Sequence, residues 1–179
     1  EAGKVRVRIG FCGVCGSDIP RIFLKGTYHF PTVCGHEFAG MVDICSTEID
    51  DLTPGDPVVV FPLLWCGKCR ACEIGEYAQC YDYDYLGSRS DGAFAEYVSA
   101  PAKNIVKKPA TVSWEEAACL PTSGMTALQA LRLGSPVRAG QRVLINGASS
   151  GVGTFAVQLA KSMGAHVTGV CSTQNVEMV

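Results

Sequence analysis

Four cysteines constrain this chain more than any other feature: Cys66, Cys69, Cys72 and Cys80 follow the spacing C-x2-C-x2-C-x7-C. Two-residue gaps let successive thiolates turn toward one centre, and Gly67 and Gly75 permit the tight backbone this needs. Four thiolates suit a closed tetrahedral zinc site with no position left for a substrate. Binding of this kind is worth roughly 10–16 kcal/mol in small zinc peptides, enough to order a loop with little core of its own. A redox or disulfide cluster is the first alternative. An iron–sulfur cluster is a weaker one, since nothing nearby marks a partner for electron transfer.

Ten cysteines in 179 residues would also suit a secreted disulfide scaffold. Cys12, Cys34, Cys45, Cys119 and Cys171, however, lie in apolar or Gly-rich surroundings, where a thiol usually serves as a small buried hydrophobe. A reducing, cytoplasmic setting is therefore expected. A net charge of −2 without any basic run argues against nucleic acid as a partner. No apolar stretch reaches the roughly 18 residues that span a bilayer, so no membrane role is expected either. The alternating, charged opening EAGKVRVRIG does not resemble a secretory signal.

Up to about residue 112 the chain reads as short strands punctuated by Gly and Pro. Lys4 to Ile9 alternates, with Val5, Val7 and Ile9 on one face. Phe38 to Cys45 and Val58 to Phe61 are further strands, the second opened by the turn Thr53-Pro54-Gly55-Asp56. Gly92 to Val98 reads as another. The pattern changes near Ser113, which with Glu116 forms a capping-box signature. One helix is expected to end near Pro121 and a second to run from about Ser123 to Leu133. After the turn Arg138-Ala139-Gly140-Gln141 come a strand, Arg142 to Asn146, and a helix from Val152 to Met163. That helix has Val152, Phe155, Ala156, Leu159, Ala160 and Met163 on one face. Gly164 ends it, and His166 to Cys171 forms a second strand.

A second group of chemically capable residues is Gly13-Val14-Cys15-Gly16-Ser17-Asp18, followed by Gly35-His36-Glu37. Each is ordinary alone: a lone buried His is more often a core residue than a ligand, and Cys15 could be packing. With the cysteine loop, and in this order and spacing, they resemble the zinc-containing medium-chain alcohol dehydrogenases. The resemblance runs from about Val5 to the end of the chain, and over residues 10–100 it is closest to the polyol branch, which includes sorbitol and galactitol-phosphate dehydrogenases. It implies that Cys15 and His36 bind a catalytic zinc directly and that Glu37 lies beside it, able to enter its coordination shell. It further implies that the Ser17 hydroxyl meets the substrate oxygen and begins a proton relay. Asp18 would orient a ligand such as His36. Zinc with an open position lowers the pKa of an alcohol, so that hydride can leave to nicotinamide. One departure stands out. The family brings a further Cys or Glu ligand from a later helix, and that position falls here on Thr122, a poor zinc ligand; Cys119, three residues away, would need a displaced backbone to replace it.

The segment Gly147-Ala148-Ser149-Ser150-Gly151-Val152-Gly153 joins a strand to a helix, the context a dinucleotide site requires. Helix N-terminal N–H groups would receive the pyrophosphate, and Gly153 would allow close helix–strand packing. A structural β-α-β unit without a ligand is the plainer alternative. This turn resembles the quinone-oxidoreductase branch, which typically lacks zinc and uses NADPH. No acid ends the second strand, where Cys171, Ser172 and Thr173 stand instead, so NADP(H) is favoured over NAD(H), with Ser172 and Thr173 beside the ribose.

The resulting fold expectation is mixed β and α/β. A GroES-like catalytic domain over residues 1–112 carries the zinc loop at about 62–85, and residues 113–179 supply connecting helices and the first β-α-β unit of a Rossmann domain. The expected function is zinc-dependent, NAD(P)-dependent dehydrogenation of a secondary alcohol or polyol. The alternatives are zinc-free NADPH reduction of a quinone or enone, and a cofactor-binding protein without chemistry. Chains of the family are longer than this, so the present segment alone is expected to turn over little. At full length a homo-oligomer acting on a small molecule is expected, with Arg21, Tyr28 and Arg89 either facing the substrate or lying on the surface.

Overall fold

The computed structural model describes residues 3–45, 51–133 and 135–179. It divides into two compact units, Glu1–Pro121 and Thr122–Val179. Within the first, β1 (Lys4–Gly13) leads to a short helix α1 (Asp18–Pro20), continued by a π-helical turn over Arg21–Lys25. Strands β2 (Glu37–Cys45), β3 (Pro57–Val60) and β4 (Leu63–Leu64) follow, then α2 (Arg70–Glu73), β5 (Asp84–Tyr85), β6 (Tyr97–Pro101), β7 (Ile105–Lys107) and α3 (Trp114–Cys119).

Five strands form one antiparallel sheet in the order β6-β1-β2-β3-β7. Period-two alternation explains its two faces. Val5, Val7, Phe38, Val42, Val58 and Val60 point to one side and form the main core. Ala39 and Val59, from the same strands, point to the other and meet Ala117 and Ala118 of α3. The small Ala side chains let α3 lie close on the sheet, which places it in the first unit, beyond the change of pattern at residue 113. Ser113 caps α3: its Oγ accepts from Glu116 N–H (3.2 Å), and the Glu116 carboxylate accepts from Ser113 N–H (2.9 Å).

Residues 62–85 leave the sheet as a lobe. The two-residue ladder β4–β5 closes its base, and buried Asn104 locks it, donating to Phe61 O (2.9 Å) and Leu63 O (2.6 Å). The Thr53–Asp56 turn forms as expected, with Asp56 N–H donating to Thr53 O at 3.0 Å. The strand expected over Gly92 to Val98 is shorter. It begins only at Tyr97, because Gly92, Ala93 and Phe94 give their N–H groups to the carbonyls of Val33, Gly35 and Cys34, in the loop before β2.

The second unit contains α4 (Met125–Arg132), β8 (Arg142–Asn146), α5 (Gly151–Ser162) and β9 (His166–Val170), with β8 and β9 parallel. Pro121 does not break the chain into separate helices. A π-helical turn over Leu120–Gly124 absorbs the missing donor and runs into α4. On α5, Ala156 and Ala160 are buried against Ala127, Leu131 and Ile145, with Phe155, Leu159 and Met163 half-buried beside them. Val152 departs from the expected face: at 37% exposure it lies at the rim of the first turn. Among the described residues no helix is long and apolar enough to cross a membrane.

Candidate metal centres and dinucleotide turn

The lobe gathers its four cysteines. Cys66 Sγ and Cys72 Sγ are 3.9 Å apart, Cys69 and Cys72 3.6 Å, and Cys69 and Cys80 3.9 Å. A tetrahedron with zinc–sulfur bonds of about 2.3 Å has edges of about 3.8 Å, so these separations fit such an ion without rearrangement. They are far too long for disulfides, and all ten cysteines are free. Local structure does the gathering. Cys69 precedes α2, Cys72 lies within it, and the turn at Tyr77–Gln79 returns Cys80, whose Sγ accepts from Cys66 N–H at 3.2 Å. Backbone donors bring the Cys69 thiol down to about 6, while burial pushes Cys72 up to about 12. Without a cation the four thiols cannot all be ionised together, and a dication removes that conflict.

A second group forms where β1 ends and β2 begins. One ligand atom each from Cys15, His36 and Glu37 lies within 4.8 Å of the others. His36 and Glu37 are buried, and Cys15 half-buried. Asp18, fully buried, organises the group. Its Oδ2 accepts from Cys15 N–H (3.0 Å), and its Oδ1 lies 3.2 Å from Arg21 Nη1 and 3.3 Å from His36 Nδ1. The last contact is within ion-pair distance but out of line for a hydrogen bond, so His36 Nδ1 is buried without a hydrogen-bond partner. The tautomer with its proton on Nδ1, toward Asp18, leaves Nε2 as the donor nitrogen for a metal. Ser17 sits on the sulfur: its N–H and O–H lie 3.5 and 3.3 Å from Cys15 Sγ. Three protein donors with a fourth position open is the arrangement of catalytic rather than structural zinc.

Cys119, one candidate for a further ligand, does not join this group. Cys119, at the end of α3, lies beside Glu37; burial and the Glu37 charge push its thiol up, so it stays protonated at neutral pH. Thr122 belongs to the second unit, and its Oγ1 is buried without a hydrogen-bond partner. Two contacts escaped the sequence reading, which took Arg21 as facing the substrate or lying on the surface. Arg21 pairs with Asp18, a contact that the i,i+3 spacing could have signalled. The Tyr85 ring lies edge-on to His36 at 5.8 Å, a long-range contact with no local signal.

In the second unit, the turn from β8 to α5 has Gly147 at φ 73° and Ser150 as N-cap, accepting from Gly153 N–H at 3.0 Å. The first-turn N–H groups of Gly151 and Val152 lie outside the helix ladder and are open to an anion. A Cβ on Gly153 would stand 2.1 Å from Gly147 O and 2.8 Å from Ala148 Cα, so only glycine lets helix and turn approach this closely. Asn175 Nδ2 donates to Ser149 Oγ (3.2 Å) and Ser172 Oγ (3.0 Å), tying the turn to the segment after β9, where Thr173 opens a short 3-10 turn.

Comparison with known proteins bears on this combination. Residues 1–110 match the family described as alcohol dehydrogenase GroES-like domain. Galactitol 1-phosphate 5-dehydrogenase of Escherichia coli (strain K12) is 41% identical over 162 residues, which are 90% of this chain and 46% of that protein. The crystal structure of galactitol-1-phosphate dehydrogenase from Escherichia coli superposes with a TM-score of 0.91 at 39% identity, covering 99% of this chain and 51% of that one. A cobalt- and zinc-bound thermostable alcohol dehydrogenase from Pyrobaculum aerophilum superposes with a TM-score of 0.86 at 34% identity, covering 98% and 54%. The chain thus spans about half the length of the curated relatives it matches.

Proposed function

From the premise that this chain belongs to the alcohol dehydrogenase GroES-like family, we propose that it is the zinc-binding part of an NAD(P)-dependent dehydrogenase acting on a secondary alcohol, most simply a polyol. The observation that carries this reading is the convergence of Cys15, His36 and Glu37 beside the buried carboxylate of Asp18. Zinc held there supplies Lewis acidity toward an alcohol or carbonyl oxygen, and a nicotinamide at the Gly147–Gly153 turn supplies the hydride acceptor. The chain's own residues do the rest. Asp18 fixes the His36 ring and the backbone of Cys15, and Arg21 balances the Asp18 charge. Ser17, exposed beside the Cys15 sulfur, is placed to take a proton from a substrate hydroxyl and pass it to water. The lobe cysteines hold a second, structural zinc.

Zinc content per chain tests this. Two ions are expected in the purified protein and one in Cys15→Ala, the lobe ion remaining. A single ion unaffected by Cys15→Ala would instead favour a zinc-free NADPH-dependent reductase. The cofactor reading has its own check. β9 ends without an acid, at Cys171 and Ser172, so nothing there repels a 2′-phosphate. NADPH is therefore expected to raise the thermal unfolding temperature more than NADH at equal concentration. The reverse order would assign the turn to NAD.

A further inference from the structure

In the second unit, Asn175 joins two segments that are far apart in the chain. It lies just past β9, where its backbone N–H donates to Ser172 O at 2.9 Å and its carbonyl accepts from Val179 N–H at 3.1 Å. Its side chain reaches back to the turn before α5. Nδ2 donates to Ser149 Oγ at 3.2 Å and to Ser172 Oγ at 3.0 Å. An amide nitrogen carries two hydrogens, and here each goes to one serine oxygen. Each serine therefore accepts from Asn175, and its own O–H is left to donate elsewhere. Among the described residues neither hydroxyl bonds to another group.

Two such donors suit an anion, and their surroundings agree. Both oxygens sit on one amide nitrogen, close enough for a single phosphate to accept from both. Ser172 is exposed and Ser149 half-buried, so both can be reached from solvent. The sequence of this unit holds one acidic residue, Glu177, against Arg132, Arg138, Arg142 and Lys161. On the dinucleotide reading, the pyrophosphate takes the first amides of α5 and the adenosine ribose lies at the end of β9. Ser149 belongs to the first of these places and Ser172 to the second.

We propose that Asn175 is a positioning residue for cofactor choice, turning the Ser149 and Ser172 hydroxyls outward to donate to the 2′-phosphate of NADP(H). This rests on the dinucleotide reading of the Gly147–Gly153 turn and adds an attraction to it. The missing acid after β9 only spares a 2′-phosphate from repulsion, whereas two aimed O–H groups draw it in. The amide decides the aim. A carboxylate at position 175 has the same shape but no N–H, so both serines would turn inward to donate to it.

Titration calorimetry of the full chain with 2′,5′-ADP and 5′-AMP tests this. The probes differ only in the 2′-phosphate, and both need only the β8-α5-β9 side of a dinucleotide crevice. The parent is expected to bind 2′,5′-ADP about 10- to 100-fold more tightly, the usual weight of charge-assisted hydrogen bonds. Asn175→Asp should erase that preference and leave 5′-AMP binding as in the parent. A merely structural role would weaken both probes alike and keep their ratio. The parental ratio in folded Asn175→Asp, or in Asn175→Ala if Asn175→Asp does not fold, would overturn the proposal and leave the dinucleotide reading in place. Equal affinity of the parent for the two probes would do the same. A parent that binds neither probe would overturn the dinucleotide reading, and the role of Asn175 with it.

Discussion

Cys72→Ser is expected to unfold the lobe over residues 62–85 and to lower stability by about 4–5 kcal/mol or more, the level that loss of a structural metal reaches. Cys72 is buried at the centre of the cluster, 3.6 Å from Cys69 Sγ and 3.9 Å from Cys66 Sγ. The lobe has little else: among its described residues the buried apolar groups are Pro62, Leu63, Ala71, Cys72 and Cys80, with a Trp65–Tyr77 stack at the edge. Denaturant unfolding, zinc content and amide exchange over residues 66–80 would each report the change. Acid should mimic it in the parent protein. The Cys69 thiol falls from 9.0 to about 6 on folding, so its contribution is fully present above 9.0 and lost as pH falls through about 6. Protons compete with the metal for these thiolates, so zinc content and amide protection of the lobe should fall together as the solution is acidified. A Cys72→Ser protein with parental stability and a parental zinc count would show that the lobe is held by packing alone.

Gly92→Ala is expected to be at least as damaging, at a distance from any cysteine of the lobe. A Cβ on Gly92 would stand 2.2 Å from Gly35 O and 2.3 Å from Gly87 Cα, and one on Gly87 would stand 2.3 Å from the same Gly35 oxygen. Three segments of backbone meet there with no side chain between them, and backbone cannot swing aside as a side-chain tip can. Overpacking of ordinary cores costs about 1–3 kcal/mol, and this case should exceed it. Gly35 immediately precedes His36, so the displacement passes directly into the Cys15–His36–Glu37 group. Thermal unfolding should show a large fall in midpoint, and zinc analysis the loss of one ion. Gly55→Ala is the control: Gly55, unlike Gly92, has positive φ, but open space around it, so only the backbone strain of roughly 1 kcal/mol applies. If the two variants unfold alike and both keep their zinc, the glycine contact is slack and carries no positional role.

How far the sequence predicts these features depends on how local each one is. The lobe cysteines lie within one short segment, so spacing alone shows that their sulfurs can converge. The Ser113–Glu116 cap, the Thr53–Asp56 turn and the β8-α5-β9 unit are legible for the same reason. Cys15 and His36 come from separate loops, and no spacing rule joins them; resemblance to the family brought them together in the reading. Elements shaped by distant backbone were misread. Gly92 to Phe94 carries strand-forming composition, yet its donors go to the loop at Val33–Gly35, which no local pattern announces. Val152 has helical spacing but sits at the end of its helix, where the buried face has already run out. Arg89 lies between the rings of Tyr28 and Tyr83, 4.3 and 4.6 Å from their centroids. These three residues have no sequence relation, so only coordinates disclose the sandwich.

The pairing of β1 with β6 has a consequence for how the chain is made. Lys4 lies opposite Pro101, so β1 must wait for a partner synthesised about a hundred residues later. At about 5–20 residues per second, one edge of β1 stays unmatched for roughly 5–20 s, although β2 can cover the other edge much sooner. During that interval the nascent chain exposes Val5 and Val7 beside a row of free amides, the conditions under which strands from neighbouring copies pair wrongly. The charges on Lys4, Arg6 and Arg8, alternating with those valines, are what discourages a second copy from docking there before Tyr97–Pro101 arrives.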